Sequence, residues 1–346
     1  MSIITGVSDF FGLDIGTSNI RLVQLRGSGK TKTLIKYAYA PVNNKISMSD
    51  SKADQQQLAQ AIKELLNQAH IGTRNAAVGV PAQKVFTTVV DFNKLSPSEL
   101  SKTIPLQADS IIPTPIAESK MDWAVLGQSP ADQTKLEVLV SSIPNAFVEA
   151  RLDLLESIGL NVIAFEPDTM ALARSVIPAD VVAPQLVLDI GSKSADLVIQ
   201  VNGAPRLTRS IPTGTEAIIR SAMQTLNIDE KQAHQFIFKF GLSKDKLEGQ
   251  IYQAIIGTVD LLMTDIEKSI KFFSARYNNM KIERIIVTGG ASTLPELPLY
   301  IANKFGVNVE IGNAWRNVTF PASRQNELLT VSNYFAVAAG LAERNE

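Results

Sequence analysis

Along the chain, short apolar stretches with a period of two take turns with longer stretches of helical period. Phe10–Leu13 runs into Asp14-Ile15-Gly16-Thr17, and Ile20–Leu25 follows with Ile20 and Leu22 on one side, Arg21 and Val23 on the other. This predicts strand, tight turn, strand, with a third strand over Thr33–Ala40. Asp54–Ala69 carries Leu58, Ala59, Ile62, Leu65, Leu66 and Ala69 on one face, with Gly72 just beyond, which predicts an amphipathic helix. Strands are expected over Ala76–Val80 and Val85–Phe92. Ser96-Pro97-Ser98-Glu99 predicts a helix start, with Ser96 as cap, Pro97 in the first position and Glu99 closing a capping box. Pro105 is expected to kink or end that helix. Strands over Trp123–Leu126 and Leu136–Ile143, a helix over Asn145–Ile158, a strand over Asn161–Phe165 and a helix over Asp168–Val176 precede a linker at 178–184.

The second half restarts with strands at Gln185–Ile190, Leu197–Val201 and Arg206–Ile211. Helices are expected over Thr215–Asn227, Asp229–Phe240 and about Leu247–Asn279. Arg284–Thr288 is a strand, Leu294–Phe305 a helix, Val307–Ile311 a strand and Glu327–Arg344 a closing helix. Strands and helices alternate in both halves, so the class is α/β.

Composition narrows the chemistry. The 346 residues are 45% hydrophobic and 19% charged, enough to build cores over two or three domains. There is no cysteine, which excludes disulfides, thiolate zinc, iron–sulfur clusters and cysteine nucleophiles. The only histidines are His70 and His234, with no metalloprotease pattern and no Gly-x-Ser-x-Gly elbow. Lys+Arg is 33 against Asp+Glu 34, with no basic excess for nucleic acid. No apolar run reaches the roughly 20 residues of a membrane span, and the first residues lack the pattern of a signal peptide. A soluble, cytoplasmic protein is expected.

The chemistry sits in a repeat. Phe11-Gly-Leu-Asp14-Ile-Gly16-Thr-Ser-Asn-Ile-Arg21 and Leu186-Val-Leu-Asp189-Ile-Gly191-Ser-Lys-Ser-Ala-Asp196 share an apolar strand, Asp-Ile-Gly, a hydroxyl residue and a second strand. One Asp-x-Gly is ordinary turn chemistry; two in matched positions point to a duplicated fold. Gly16 and Gly191 let the backbone approach an anion. The turn N–H groups with Thr17, Ser18, Ser192 and Ser194 make a donor set suited to phosphate. Asp14 and Asp189 lie at strand ends, where one or two carboxylates and the phosphates could share a hydrated Mg²⁺. Ile285-Ile-Val-Thr288-Gly289-Gly290-Ala291-Ser292 runs an apolar strand into small residues, read as the nucleoside side. Gly27-Ser-Gly-Lys30-Thr31 imitates a P-loop ending, but Gln24 stands where the pattern needs glycine, so it is a hairpin tip. The nearby Arg21, Arg26, Lys30, Lys32 and Lys36 read as a solvated face. His234, Trp123 and Trp315 read as structural.

These pieces, in this order, resemble the actin-like ATPase superfamily, and more closely the PilM family of type IV pilus assembly, relatives of the division protein FtsA. Asp14–Leu25 looks like the family's first phosphate loop. Glu166–Arg174 is similar to its connecting motif, and Arg209–Ile218 to the glycine turn before the second-half helices. Phe305–Val309 and Ala336–Ala342 match its closing segments, and Val85–Arg151 its inserted subdomain. Departures are Ala195 for a threonine, Gly214-Thr215 for a glycine pair, His234 and Ile237 at about the family's Glu and Lys beside the ribose, and Ala291 for a third glycine.

The resemblance implies an actin-like fold of two lobes around a nucleotide cleft. Its parts are a first-lobe core (1–84 and 152–184), an inserted subdomain (85–151), a second-lobe core (185–215 and 265–324), a helical subdomain (216–264) and a closing helix (325–346) returning to the first lobe. It implies ATP or ADP with Mg²⁺. Asp14 and Asp189 would orient the ion through water. Gly16, Thr17, Ser18, Asn19, Gly191, Ser192, Gly214 and Thr215 would serve the phosphates, with Arg21 and Lys193 as charge partners. Gly289, Gly290, Ala291 and Ser292 would serve the nucleoside. Glu166, Asp168 and Asp189 are the candidate catalytic carboxylates of an ATPase that is slow at most. The implied partners are the cytoplasmic N-terminal peptide of a PilN-type membrane protein, pilus motor and platform proteins, and further copies of the chain, at the inner face of the cell membrane. An FtsA-like filament former and a small-molecule kinase remain as alternatives.

Overall fold

The computed structural model describes residues 9–345 apart from 28, 30 and 50, so Lys30 and the first eight positions lie outside the described residues. The chain opens with β1 (Phe11–Ile15), β2 (Asn19–Arg26) and β3 (Lys32–Pro41), an antiparallel meander. Every residue of β1 is buried, because the strand lies inside its sheet and is covered on both faces. Helices α1 (Asn44–Ser47) and α2 (Lys52–Gln68) lead to β4 (Asn75–Val80). The next strand, β5 (Phe86–Asn93), helix α3 (Pro97–Ala108), β6 (Ser119–Gln128) and β7 (Lys135–Pro144) form a separate unit, a sheet of order β5-β7-β6. Its own core is Phe92, Leu100, Ile104, Ala108, Ile112, Val138 and Val140. Helix α4 (Asn145–Ser157), cut by the expected 85–151 boundary, packs Val148, Leu154 and Leu155 into the first-lobe core instead. Then β8 (Asn161–Pro167) completes the first sheet and α5 (Asp168–Val176) leaves it.

The second lobe repeats the plan. Strands β9 (Gln185–Ile190), β10 (Ala195–Val201) and β11 (Ala204–Ile211) form a meander. Helices α6 (Thr215–Leu226), α7 (Glu230–Phe240) and α8 (Gln250–Arg276) follow, then β12 (Arg284–Thr288), α9 (Leu297–Phe305), β13 (Asn308–Ile311), β14 (Val318–Thr319), α10 (Gln325–Val331) and α11 (Ala336–Ala342). The sheet orders are β14-β3-β2-β1-β4-β8 and β11-β10-β9-β12-β13. Without β14 the two are the same topology, an antiparallel meander extended by two parallel strands. Helix α8 runs unbroken across the expected 264/265 boundary, its buried side from Ile251 to Phe273 set in the second-lobe core.

Helices α5 and α11 lie between the sheets. They share one apolar cluster with Val23 and Ala77 of the first lobe and Val187, Val198 and Ile286 of the second. Ser175 Oγ donates to the Ala336 carbonyl at 2.7 Å, and Arg174 Nη1 to the Gly340 carbonyl at 2.7 Å. Gly340 is required by this crossing, since a Cβ there would collide with the Ala171 carbonyl.

Three expectations are corrected. The closing helix is broken at Ser332–Tyr334, a 3₁₀ turn. Pro105 does not end helix α3, which continues to Ala108 because Leu100, Ile104 and Ala108 anchor it on both sides of the proline. The basic face of the first hairpin is not uniformly solvated. Lys32 is buried, and its Nζ caps the end of α11 by donating to the carbonyls of Ala342 (3.3 Å) and Arg344 (2.8 Å). Arg21 is paired with Asp14.

Candidate functional site

Matched registers place the two turns of the repeat. Asp14 lies opposite Arg21 across β1 and β2, and Asp189 opposite Asp196 across β9 and β10. Gly16 N–H donates to Asn19 O at 3.0 Å and Gly191 N–H to Ser194 O at 2.9 Å, closing equivalent turns. A Cβ on Gly16 would come within 2.9 Å of that same Asn19 oxygen, so the tight first turn needs glycine. Both turns face a cavity of about 830 Å³ between the lobes, within the size range of small-molecule sites. Asp14, Gly16, Thr17, Ser18, Asn19 and Arg21 line one side, and Asp189, Gly191, Ser192, Lys193 and Thr215 the other.

The cavity gathers carboxylates. Asp14, Asp168, Asp189 and Asp196 all line it. Arg21 Nη1 holds Asp14 Oδ2 at 3.0 Å. Burial nevertheless pushes the Asp14 carboxyl above its ordinary range, with Arg21 opposing the shift. Burial and the Asp196 charge push Asp189 up to about 7, although Thr288 Oγ1 donates to its Oδ1 at 3.0 Å. Asp196 is raised by burial against hydrogen bonds from Ser210 and Ser194. Asp168 is raised well above the ordinary carboxylate range, by burial and by the charges of Asp14, Asp196, Asp189 and Glu166. Its Oδ1 is buried with no hydrogen-bond partner.

Glu166 is not brought to the cavity. It is 4% exposed and its carboxylate is held by Arg174 and by Arg344 Nη1 at 3.1 Å. Those cations fasten β8 to α5 and to the end of α11, so the residue is a structural ion-pair centre. Gly214 lies behind the second turn, where a Cβ would collide with the Ser192 backbone. It lets α6 start against that turn, with Thr215 N–H on Gly191 O and Glu216 N–H on Ser192 O, both at 2.9 Å.

At the far side Gly289 and Gly290 line the cavity, whereas Ala291 and Ser292 are fully buried beneath them. Ser292 Oγ donates to Gly289 O at 2.7 Å, and Asn333 Nδ2 donates to both Ser292 Oγ (2.8 Å) and Gly289 O (3.1 Å). The break in the closing helix delivers Asn333 to this loop. Opposite, α7 presents Glu230, His234 and Phe238 to the cavity, with the His234 and Phe238 rings stacked 4.5 Å apart. His234, read from the sequence as structural, lines the cavity instead. The signal was there: Ala233 and Ile237 are the buried side of α7, and 230, 234 and 238 share another face. Glu216, also missed, accepts from Ser192 Oγ (2.8 Å) and from Asn44 Nδ2 (3.1 Å) across the cleft.

The sequence profile described as type IV pilus assembly protein PilM matches residues 12–346. The chain belongs to the PilM family. A chain of a solved PilM–PilN type IV pilus biogenesis complex is 27% identical and superposes with a TM-score of 0.82, over 97% of this chain and 98% of that one. Two more distant structures share the fold. The ethanolamine utilization protein EutJ from Carboxydothermus hydrogenoformans has TM-score 0.59 at 15% identity, over 100% of this chain and 93% of its own. MreB5 of Spiroplasma citri, bound to AMPPNP, has TM-score 0.56 at 14% identity, over 97% and 95%. The fold is therefore the actin-like ATPase fold.

In this PilM-family chain the donor set fits a hydrated Mg²⁺ with phosphates. No group of three or more acidic or histidine side chains among the described residues is arranged to hold a metal by itself. The raised carboxyls of Asp14 and Asp189 instead line a space where water and a cation would satisfy them, while Asp168 Oδ1 is turned against the backbone at Gly79. No helix among the described residues is long and apolar enough to cross a membrane.

Proposed function

We propose that this PilM-family protein is an adenine-nucleotide-binding scaffold of type IV pilus assembly, at the cytoplasmic face of the inner membrane. The observation that carries the reading is the pair of matched Asp-Ile-Gly turns facing one cavity from opposite lobes. A relative of the same fold is recorded with AMPPNP and with ADP. Thr17, Ser18, Asn19, Ser192 and Lys193 hold the phosphates, aided by Arg21. Asp14 and Asp189 orient Mg²⁺ through water, and the ion neutralises phosphate charge. Gly289, Gly290 and the His234–Phe238 face flank the nucleoside. In this reading Asp168 orients the attacking water. Phosphoryl transfer to water relies on positioning and electrostatics, so a loosely held water gives a slow ATPase.

The partner is the cytoplasmic N-terminal peptide of a PilN-type membrane protein, through which the scaffold links the pilus motor to the periplasmic alignment complex. This rests on the likeness to a chain of a PilM–PilN complex. We place the peptide in the groove between the inserted subdomain and the first lobe, where an extended segment can add to a strand edge. The test is calorimetric titration with Mg·ATP on the wild type and Asp189→Ala, followed by titration of a PilN-type peptide. Binding weakened by the substitution supports the clamp. A wild type that binds no nucleotide would leave a pure scaffold, and no peptide binding in any nucleotide state would sink the partner assignment.

A further inference from the structure

The inserted subdomain grows out of the first lobe, yet it is fastened to the second. Glu137 of β7 is 2% exposed, and its carboxylate is held by second-lobe residues. Arg206 Nε of β11 lies 3.5 Å from its Oε2, Arg276 Nη2 at the end of α8 lies 3.3 Å from its Oε1, and Tyr277 Oη donates to Oε1 at 2.8 Å. Arg276 Nη2 also holds Asp91 of β5 at 3.1 Å. Nearer the cleft, Gln83, in the turn that leads into the subdomain, donates from Nε2 to Ser194 Oγ of the second turn of the repeat.

This joint differs from the α5–α11 crossing. The apolar core of the subdomain is its own and contains no second-lobe residue. Where β5 meets β11 there is a pocket of about 150 Å³, open to solvent and lined by Thr88, Val89, Leu207 and Phe272 among others. Two buried guanidinium nitrogens at the joint, Arg206 Nη1 and Arg276 Nε, have no hydrogen-bond partner. Incomplete packing with polar fastening is the character of an interface that parts, not of a fused core.

We propose that the inserted subdomain is a strap across the cleft: fastened at Glu137, it holds the two lobes closed, and it unfastens when the cleft opens. The α5–α11 crossing is then the hinge and Glu137 the buckle. The strap concerns the lobes themselves; only the rate of ADP release rests on the nucleotide reading.

The chain has no cysteine, so introduced labels are clean. Exposed Lys63, Lys102 and Lys239 report the first lobe, the subdomain and the second lobe. Spin-label distances are measured for Lys63→Cys/Lys239→Cys and Lys102→Cys/Lys239→Cys in the full chain, each in wild-type, Glu137→Gln and Tyr277→Phe backgrounds. The last removes one hydrogen bond without stranding a charge, and guards against a Glu137 variant that fails to fold. Both pairs should lengthen and broaden in the variants, while circular dichroism stays native. An unchanged Lys63–Lys239 distribution in both variants overturns the strap, even if the Lys102 pair moves, because Glu137 would then fix the subdomain and not the lobes. Fluorescent ADP should leave Glu137→Gln about tenfold faster; an unchanged release rate from a variant whose lobes have parted also counts against the strap. A wild type that binds no ADP defeats the nucleotide reading, and the distances still decide the strap.

Discussion

Asp189 carries the sharpest consequence of its surroundings. Its folded pKa is about 7, raised by burial and by Asp196, against an unfolded value near that of a free carboxyl. The folded chain therefore holds a proton that the unfolded chain releases. Its contribution to stability is full below the unfolded value and is lost as pH rises through about 4 to about 7, at about 1.4 kcal/mol per pH unit. Asp189→Asn keeps an acceptor for Thr288 and removes the titration. Urea unfolding of the nucleotide-free protein across this range should show a shallower decline in the variant. An Asn variant with the wild-type slope would mean that Asp189 does not titrate there. At this scale the sequence was most informative where chemistry recurs: the Asp-Ile-Gly turns reach the cavity from both lobes. It was least so where a side chain's neighbours come from distant elements. Glu166 reads as available in the sequence, but Arg174 and Arg344 hold its carboxylate, the second of them 178 positions along the chain.

Among elements, the α5–α11 crossing depends on backbone contact that no larger residue permits. A Gly340→Ala methyl would collide with the Ala171 carbonyl, and neither helix can yield without disturbing both sheets. The expected loss is about 3 kcal/mol, as for overpacked cores. Gly257 is the control. It lies inside α8 with nothing within 4 Å of an added Cβ, so Gly257→Ala should gain about 1 kcal/mol from helix propensity. Denaturant midpoints of the two variants should move in opposite directions; parallel shifts would refute the close-approach argument. Amphipathic elements such as α2 and α8 were readable from periodicity because each buries one regular face, and the wholly buried β1 from its short apolar run. The exceptions have local causes. Asn333 leaves the helical ladder to hold the Gly289 loop, and the face of α7 that meets the cavity is set by which face the core takes.

At the scale of the whole molecule, duplication makes one site from two half-sites. The meander that bears Asp14 and the meander that bears Asp189 belong to different sheets joined through α5 and α11. The sequence carried this directly, since the same strand–turn–strand pattern begins both halves. It did not carry the bridge from the inserted subdomain to the second lobe, because Glu137, Arg206 and Tyr277 share no local pattern. A clamp of two half-sites has a thermodynamic signature. If Mg·AMPPNP is gripped from both lobes at once, removing either aspartate lets the other lobe disengage, so each loss already includes part of the other. Asp14→Ala and Asp189→Ala should each weaken binding severely, and the double variant should be little worse than either single one. Independent sites would instead give free-energy losses that add within about 0.5 kcal/mol. Calorimetric titration of the four proteins measures the coupling. Additive losses would mean that the ligand rests on one loop, and the second turn would then belong to the architecture of the fold and not to the grip on the nucleotide.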